Sequence, residues 1–203
     1  MACTVTVASG EDVASKLSPD AVVCLAAGVH RVNLDLAHGV TLRGEPGAVL
    51  DGGRRGPVVR VGANGQRVRI EGVEIRGGSH EFGSGVLVEG YSDVTLAYCT
   101  IRDNEQGPGG GGGLGVRRGR VLVEGGTLTD EIIVTTVAEA RFSDAQLGTL
   151  IASDGANVAV RAGRVDRLVV RGTSTRQPQV AIQGSEIGAT DNSGQFPGRV
   201  IVE

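Results

Sequence analysis

The stretch Val68-Arg69-Ile70-Glu71-Gly72-Val73-Glu74-Ile75 decides the fold, because its eight-residue pattern occurs six times in this chain. The pattern reads apolar-any-apolar, two turn residues, then small-any-apolar. The other five copies occupy residues 94–101, 121–128, 140–147, 158–165 and 180–187, and weaker forms begin at residues 22 and 40. A repeat this short cannot bury its own apolar face, so the copies are predicted to stack on one another.

Apolar residues alternate with period two on each side of the two-residue turn, which predicts two short strands joined by a sharp bend. At the second turn position Gly and Asp suit a left-handed backbone, while two copies place a tyrosine and an alanine there. A third alternation, such as Val59 and Val61, lies between the copies. Each repeat therefore supplies three strands. The prediction is an all-β, right-handed parallel β-helix with three sheets and about eight coils.

The length of 203 residues suits a single β-helix domain spanning 1–203. Residues 1–20 are predicted to form an N-terminal cap, 21–188 the coils, and 189–203 a C-terminal cap or tail. The cap is expected to contain a short helix between Ser9 and Leu17, with Ser9 as its N-cap and with Val13 and Leu17 facing the first coil. Residues 200–202 are expected to add a last strand.

The composition excludes several classes of function. The chain has 34 glycines, no tryptophan, one lysine and a net charge of −3, which fits an aliphatic interior with many tight turns. No basic block is present to follow a phosphate backbone, so a nucleic-acid partner is not expected. No stretch is long and apolar enough for a membrane span, and no signal peptide precedes the repeats. Secretion or a periplasmic location is predicted, with the cytoplasm as the alternative.

The three cysteines differ in their predicted state. Cys99 occupies the small inward position of an octapeptide, so a buried thiol is expected. Cys3 and Cys24 either form one disulfide, which would imply an oxidising compartment, or stay free, and their spacing decides neither. No His/Cys cluster suggests zinc, and no metal or cofactor is predicted. His30 and His38 are expected to be turn residues near the cap.

Two stretches carry a resemblance to a known group of proteins. Residues 22–32 (VVCLAAGVHRV) follow the cap, and Thr100-Ile101-Arg102-Asp103-Asn104 precedes a glycine-rich turn at 107–113. In these features, and over nearly its whole length, the chain resembles the right-handed parallel β-helix proteins of the pectate-lyase-like superfamily. The resemblance implies the fold but no single activity, because that superfamily includes lyases, hydrolases, epimerases, tail-spikes and non-catalytic binding proteins.

Three insertions, at 51–57, 77–85 and 103–113, are predicted to leave the helix at one corner, where loops on a rigid scaffold often carry function. The polar residues of this corner are Asp51, Arg54, Arg55, His80, Glu81, Arg102, Asp103, Asn104, Asp130 and Glu131. The resemblance implies a sugar groove on this side.

If the protein is an enzyme, the predicted catalytic residues are Asp51, His80, Arg102 and Asp103, because a lyase or epimerase needs a base and a cation. Asp51, Asp103 and Asp130 would form a carboxylate ladder, and Ca²⁺ is expected only in that case. Ordinary turn residues are the alternative.

The outward positions of the third strand set include four large aliphatic residues in neighbouring coils: Leu87, Ile133, Ile151 and Val169. Such an aliphatic stripe is predicted to be covered by a second copy, by a protein partner or by the C-terminal tail, unless the predicted register is wrong by one residue. The favoured function is therefore a non-catalytic scaffold or binding module that self-associates or binds a partner through the stripe. The alternative is a small polysaccharide lyase or epimerase acting on acidic glycans.

Overall fold

The computed structural model describes residues 2–193 and 196–203, which wind into a parallel β-helix with three sheets. Within the described residues the first sheet contains ten parallel strands, two more than the eight coils predicted. These strands are Val5–Val7, Ala21–Leu25, Val40–Gly44, Arg67–Glu71, Asp93–Ala97, Arg120–Glu124, Glu139–Ser143, Asn157–Arg161, Gln179–Gln183 and Arg199–Val202. Each predicted octapeptide contributes one strand to this sheet, and the first and last strands extend the sheet beyond the octapeptides.

The second and third sheets come from the remaining two strands of each coil. The second sheet begins with Gly28–Arg31, Ala48–Asp51, Glu74–Arg76, Thr100–Ile101 and Thr127–Leu128. The third sheet begins with Leu34–Asp35, Val59–Val61, Val86–Val88, Leu114–Val116 and Ile132–Val134. After these, Gln146–Ser153 and Arg164–Arg171 run through both sheets without a break, and Glu186–Asp191 pairs with the latter. Ser79–His80 and Glu105–Gln106 form a separate parallel pair between two insertions.

The octapeptide register is confirmed. Val68 pairs with Val40 on one side and Val94 on the other, and the inward residues Ile70 and Ile75 are fully buried. The turns are also uniform, because the second turn residue of every full copy has a φ between 52° and 66°, Tyr98 and Ala162 included. The stacked geometry therefore imposes a left-handed conformation even where the residue does not favour it.

The weak copy at residue 22 is shifted by one position. Ala21, and not Val22, pairs with Val40, so Val23 and Leu25 point inward. All five residues of Ala21–Leu25 are buried. The run therefore lacks the polar alternation that defines a register from sequence, which explains the error.

The predicted capping helix is wrong. Among the described residues the helical structure of the cap is one three-residue 3₁₀ turn, Ala14–Lys16, whose first N–H donates to the carboxylate of Asp12, at 3.0 Å. The Ser9 hydroxyl donates instead to the carbonyl of Val29, at 2.9 Å. A segment this short gains little from helix propagation, and its stability comes from burial of Val13 against the first coil. No described helix is long and apolar enough to cross a membrane.

The cysteines and histidines of the N-terminal half have different environments. Cys3 and Cys24 form a disulfide with a Cα–Cα distance of 5.7 Å. Cys99 is buried as predicted, and burial raises the pKa of its thiol to about 11. The prediction that His30 lies in a turn is wrong, because His30 aligns with Leu50 in a strand and is 1% exposed. The ring Nε2 of His30 lies 2.9 Å from the carbonyl oxygen of Ala26. His38 is exposed, beyond the end of a strand.

Candidate functional site

The three insertions meet at one corner between the second and third sheets. The backbone N–H of Arg54 donates to Gly77, at 2.7 Å, and that of Gly77 donates to Asp103, at 3.1 Å. The Arg54 side chain also pairs with Glu105. Consecutive coils therefore tie their loops together into a continuous rim beside the third sheet.

Asp51 is held at the base of this rim. Its carboxylate accepts a hydrogen bond from the backbone N–H of Gly53, at 3.0 Å, and from Nε of Arg76, at 3.1 Å. The Gly53 hydrogen bond, supported by Arg76, lowers the pKa of Asp51 although partial burial opposes it. Asp51 is thus a stabilised, ionised carboxylate.

Arg102 and Asp103 belong to the same network of ion pairs. Arg102 donates to Glu74, at 2.9 Å, and also pairs with Asp103. Glu74 accepts a second bond from Arg76, at 3.3 Å, so this one carboxylate connects both arginines. The structure therefore links three of the predicted residues, Asp51, Arg102 and Asp103, through Glu74 and Arg76. These two had not been identified from the sequence.

His80 does not join this network. Its Nδ1 lies 2.7 Å from the carbonyl oxygen of Phe82, and its backbone N–H donates to the Ser84 hydroxyl, at 2.9 Å. Ser84 is fully buried, and it also donates to the carbonyl of Glu105. These contacts hold the imidazole inside its own loop. Glu81 and Arg55 are exposed.

The predicted carboxylate ladder is wrong. Asp51 aligns with Arg76 in the neighbouring strand, whereas Asp103 follows a later strand in the turn region. Asp130 accepts hydrogen bonds from the backbone and side-chain nitrogens of Asn104, at 2.8 and 3.0 Å. Each carboxylate thus has its own partner. No group of three or more His, Cys, Asp or Glu residues in the described part of the chain is placed to hold a metal ion.

The aliphatic stripe is not continuously exposed, because this chain itself covers two of its four residues. Leu87 is 0% exposed and Val169 is 2% exposed. In the coil after Leu87 the insertion loop covers the sheet with Phe82, which is 3% exposed. A Cβ at Gly115 would lie 2.7 Å from the Phe82 ring, and the Arg117 guanidinium stacks over that ring, 4.3 Å from its centre.

The two remaining stripe residues, Ile133 and Ile151, are half-buried and form the floor of a groove of about 570 Å³. Gly110 of the glycine-rich loop, Glu131, Asp154 and Arg171 also line this groove. Sequence reasoning had placed Glu131 in the corner but missed Asp154 and Arg171. The sequence signal for Asp154 was the turn dipeptide Asp154-Gly155.

The groove carboxylates are each oriented by one hydrogen bond. Glu131 accepts from the backbone N–H of Gly111, at 2.9 Å, and Asp154 accepts from the Thr135 hydroxyl, at 3.2 Å. Glu131 precedes its strand, whereas Asp154 follows the next one, so the two carboxylates face the groove from opposite flanks. The backbone N–H of Asp154 also donates to the carbonyl of Arg171, at 3.3 Å. A carboxylate and a guanidinium therefore belong to neighbouring coils on one flank.

A second depression lies on the outer face of the first sheet, between Leu122, Glu139 and Arg141. Its charges are largely matched, because Arg141 pairs with Glu139, at 2.6 Å, and Arg120 lies 3.8 Å from the same carboxylate. The groove on the third sheet is therefore the better candidate site.

Comparison with solved structures places this geometry in context. A mutant pectin methylesterase in complex with a hexasaccharide matches with a TM-score of 0.61, at 11% identity, over 96% of this chain and 81% of that chain. The deglycosylated pectin methylesterase from Aspergillus niger matches with a TM-score of 0.52, at 14% identity, over 99% and 84%. The chain shares the right-handed parallel β-helix fold of these structures. No family model and no curated protein matches the sequence. At these identities the likeness shows the fold alone.

Proposed function

We propose that this protein is a carbohydrate-active β-helix protein that binds a partially esterified uronan in the groove on the third sheet. The observation that carries the proposal is the lining of this one groove. Its floor consists of Ile133 and Ile151, and it also holds the guanidinium of Arg171 and the oriented carboxylates of Glu131 and Asp154. Sugar sites in general combine an apolar surface with a few placed polar groups. The hexasaccharide bound to the structurally similar pectin methylesterase supports the choice of a carbohydrate.

The charges of the groove favour an esterified chain over a fully ionised one. Glu131 and Asp154 contribute two negative charges, and Arg171 contributes one positive charge. A chain with every carboxylate ionised would be repelled, whereas methyl esters are neutral. One free uronate would pair with Arg171, and neighbouring hydroxyls would donate to Glu131 and Asp154. The proposal thus narrows the class of acidic glycans expected from the sequence to partially esterified uronans.

The proposed turnover is elimination or epimerisation beside an esterified or Arg171-paired uronate. Asp154 would remove the proton from the carbon next to the carboxyl group, and Arg171 would stabilise the negative charge that develops on the carboxyl oxygens. In elimination, this charge would form a carbon–carbon double bond and expel the glycosidic oxygen from the adjacent ring carbon, and that oxygen would take a proton from water. In epimerisation, a proton from water would return to the same carbon from the opposite face. Asp51, His80, Arg102 and Asp103 remain the competing catalytic proposal. In that corner, the charges of Asp51, Arg102 and Asp103 are already engaged in ion pairs.

The test is a binding and turnover comparison among glycans. Calorimetry with partially methyl-esterified polygalacturonan, fully de-esterified polygalacturonate and a neutral glucan should give the tightest binding to the first. The variant Arg171→Ala should weaken that binding about tenfold, since it removes one charge-assisted hydrogen bond. Arg161→Ala is the matched control, because Arg161 is an exposed arginine of the first sheet.

Three readouts on the same glycans define the reaction. Absorbance of an unsaturated uronate reports elimination, released methanol reports ester hydrolysis, and the ratio of uronate epimers reports epimerisation. The proposed function would be refuted if the protein bound none of the three glycans. It would also be refuted if Arg161→Ala lost glycan affinity and Arg171→Ala did not.

A non-catalytic scaffold that self-associates is the second candidate, because Ile133 and Ile151 stay partly exposed. Two side chains supply little of the roughly 800 Å² per partner that a stable interface buries. Light scattering on the wild type and on Ile151→Asp tests this: a dimer lost in the variant supports self-association, whereas a monomeric wild type excludes it.

We also propose a secreted or periplasmic location, supported by the Cys3–Cys24 disulfide. Structural disulfides persist in oxidising compartments and are rare in the cytosol. Mass spectrometry of protein isolated from its native source under alkylating conditions would show the bond intact; two alkylated thiols at these positions would contradict the proposal.

A further inference from the structure

The groove on the third sheet is closed at both ends along the axis of the β-helix. Toward the N-terminus the glycine-rich loop lies directly on its floor, because a Cβ at Gly111 would come within 2.5 Å of the Ile133 side chain. One coil further, the sheet is covered by Phe82 over Gly115. The loops therefore block the groove after the coil of Ile133.

Toward the C-terminus the groove is closed one coil beyond Ile151. Val169 is the next outward residue after Ile151, and it is already buried. The backbone N–H of Gly172, which lines the groove, donates to the carbonyl of Phe196, at 2.7 Å, so the C-terminal segment is tied to this end. The open floor thus spans two coils, about 5 Å of axial rise each.

We infer that the groove receives the end of a glycan chain, and not the interior of a long polymer. This inference rests on the proposed function, and it concerns the same site. A polymer lying along the axis would collide with the loop at Gly110 and Gly111 or with the covered surface at Val169. A chain end stops within the groove and avoids both obstacles.

The chemistry beside the glycine-rich loop also favours a terminal sugar. The carboxylate of Glu131 is fixed beside Gly110 by the Gly111 N–H, and it keeps lone pairs free to accept further hydrogen bonds. In the interior of a chain, the oxygen that joins one sugar to the next carries no hydrogen and cannot donate. A terminal sugar has a free hydroxyl at that position, and it can donate to Glu131.

The experiment compares chains of different length on the wild-type protein. Partially methyl-esterified oligogalacturonides and the polymer from which they were cut are titrated at equal mass concentration. If chain ends are bound, apparent affinity per unit mass rises with the number of ends, about tenfold for each tenfold shortening. Oligomers whose terminal hydroxyl is O-methylated should bind at least about tenfold more weakly, since the hydrogen bond to Glu131 is lost.

Two other outcomes are distinguishable. If affinity per unit mass is constant or grows with length, the interior of the chain is bound; the chain-end inference is then overturned and the proposed function stands. If no chain of any length binds, both are overturned. A variant that lacks residues 108–110 should gain affinity for the polymer if these residues block the groove. An unchanged melting temperature shows that the variant is folded. A folded variant without the gain in affinity also counts against the inference.

Discussion

Residues 40–134 and residues 139–191 use the same octapeptide, but they differ at the corner between the second and third sheets. In the first region, loops of up to eleven residues leave the helix between the two sheets, as at 103–113. In the second region, Gln146–Ser153 and Arg164–Arg171 turn the corner as unbroken strands. The octapeptide thus controls stacking, whereas the corner controls what covers the outer face.

The two regions also satisfy their backbone groups differently. In the second region, neighbouring long strands supply the partners, as in the pairing of Gln146–Ser153 with Arg164–Arg171. In the first region, buried side chains replace the missing ladder bonds, and Asn104 and Ser84 bond to the backbone of adjacent loops. Asn104 and Ser84 therefore mark coils in which insertions interrupt the strand ladder.

Asn104→Ala should have the largest effect and tests this difference directly. The Asn104 amide accepts from the Gly78 N–H and donates to the carbonyl of Ile75 and to Asp130, so its removal leaves several buried groups without partners. We expect a loss of about 3 kcal/mol in the free energy of unfolding. Chemical denaturation measures it. Asn157→Ala, an exposed position in the second region, should stay within about 0.5 kcal/mol; equal losses would contradict the comparison.

Gly115→Ala should have the next largest effect, because it tests whether the loop is packed on the sheet. The added methyl group would lie 2.7 Å from both the Phe82 ring and the Gly83 backbone. We expect a loss of about 1 to 3 kcal/mol, measured by thermal unfolding. Gly62→Ala is the control, since its methyl group meets the flexible end of Arg60. A neutral Gly115→Ala would mean that the loop does not rest on the third sheet.

Asp51→Asn should have the smallest effect, and the effect should depend on pH. The pKa of Asp51 is lowered in the folded protein, so its stabilising contribution is complete above the ordinary value of 3.8 and is lost as pH falls below it. At pH 7 we expect the variant to be less stable by about 1 kcal/mol. The difference should shrink in denaturation curves taken below pH 3.8. Asp144→Asn, at an exposed turn of the second region, controls for the loss of one charge; a gap that widens in acid would contradict the assignment.

Much of the fold follows from the sequence because the octapeptide carries both a period and a turn. Inward residues such as Val68 and Ile70 are recognised by alternation, and the stack repeats that signal in coil after coil. The register of Ala21–Leu25 does not follow, because a run of buried apolar residues has no alternation. The cap fails for a different reason, since one turn of backbone takes its conformation from the coil beneath it.

The candidate site was less predictable, because its contacts join different coils. The insertions pointed to the corner of Asp51, Arg102 and Asp103, but Glu74 and Arg76, which connect them, looked like ordinary outward strand residues. The groove could not be predicted without knowing which loops pack on which sheet. Sequence shows the length of an insertion, whereas the direction in which it folds depends on contacts such as those of Phe82.

The buried thiol of Cys99 has a consequence for oxidative maturation. An unfolded chain with three cysteines has three possible disulfides, and only the one between Cys3 and Cys24 is compatible with the folded coils. Once its coil has formed, Cys99 is protected from exchange, because burial keeps its thiol protonated and out of reach of oxidants. If the central coils stack before the Cys3–Cys24 bond forms, Cys99 is already buried. Both non-native disulfides involve Cys99, so its burial prevents them.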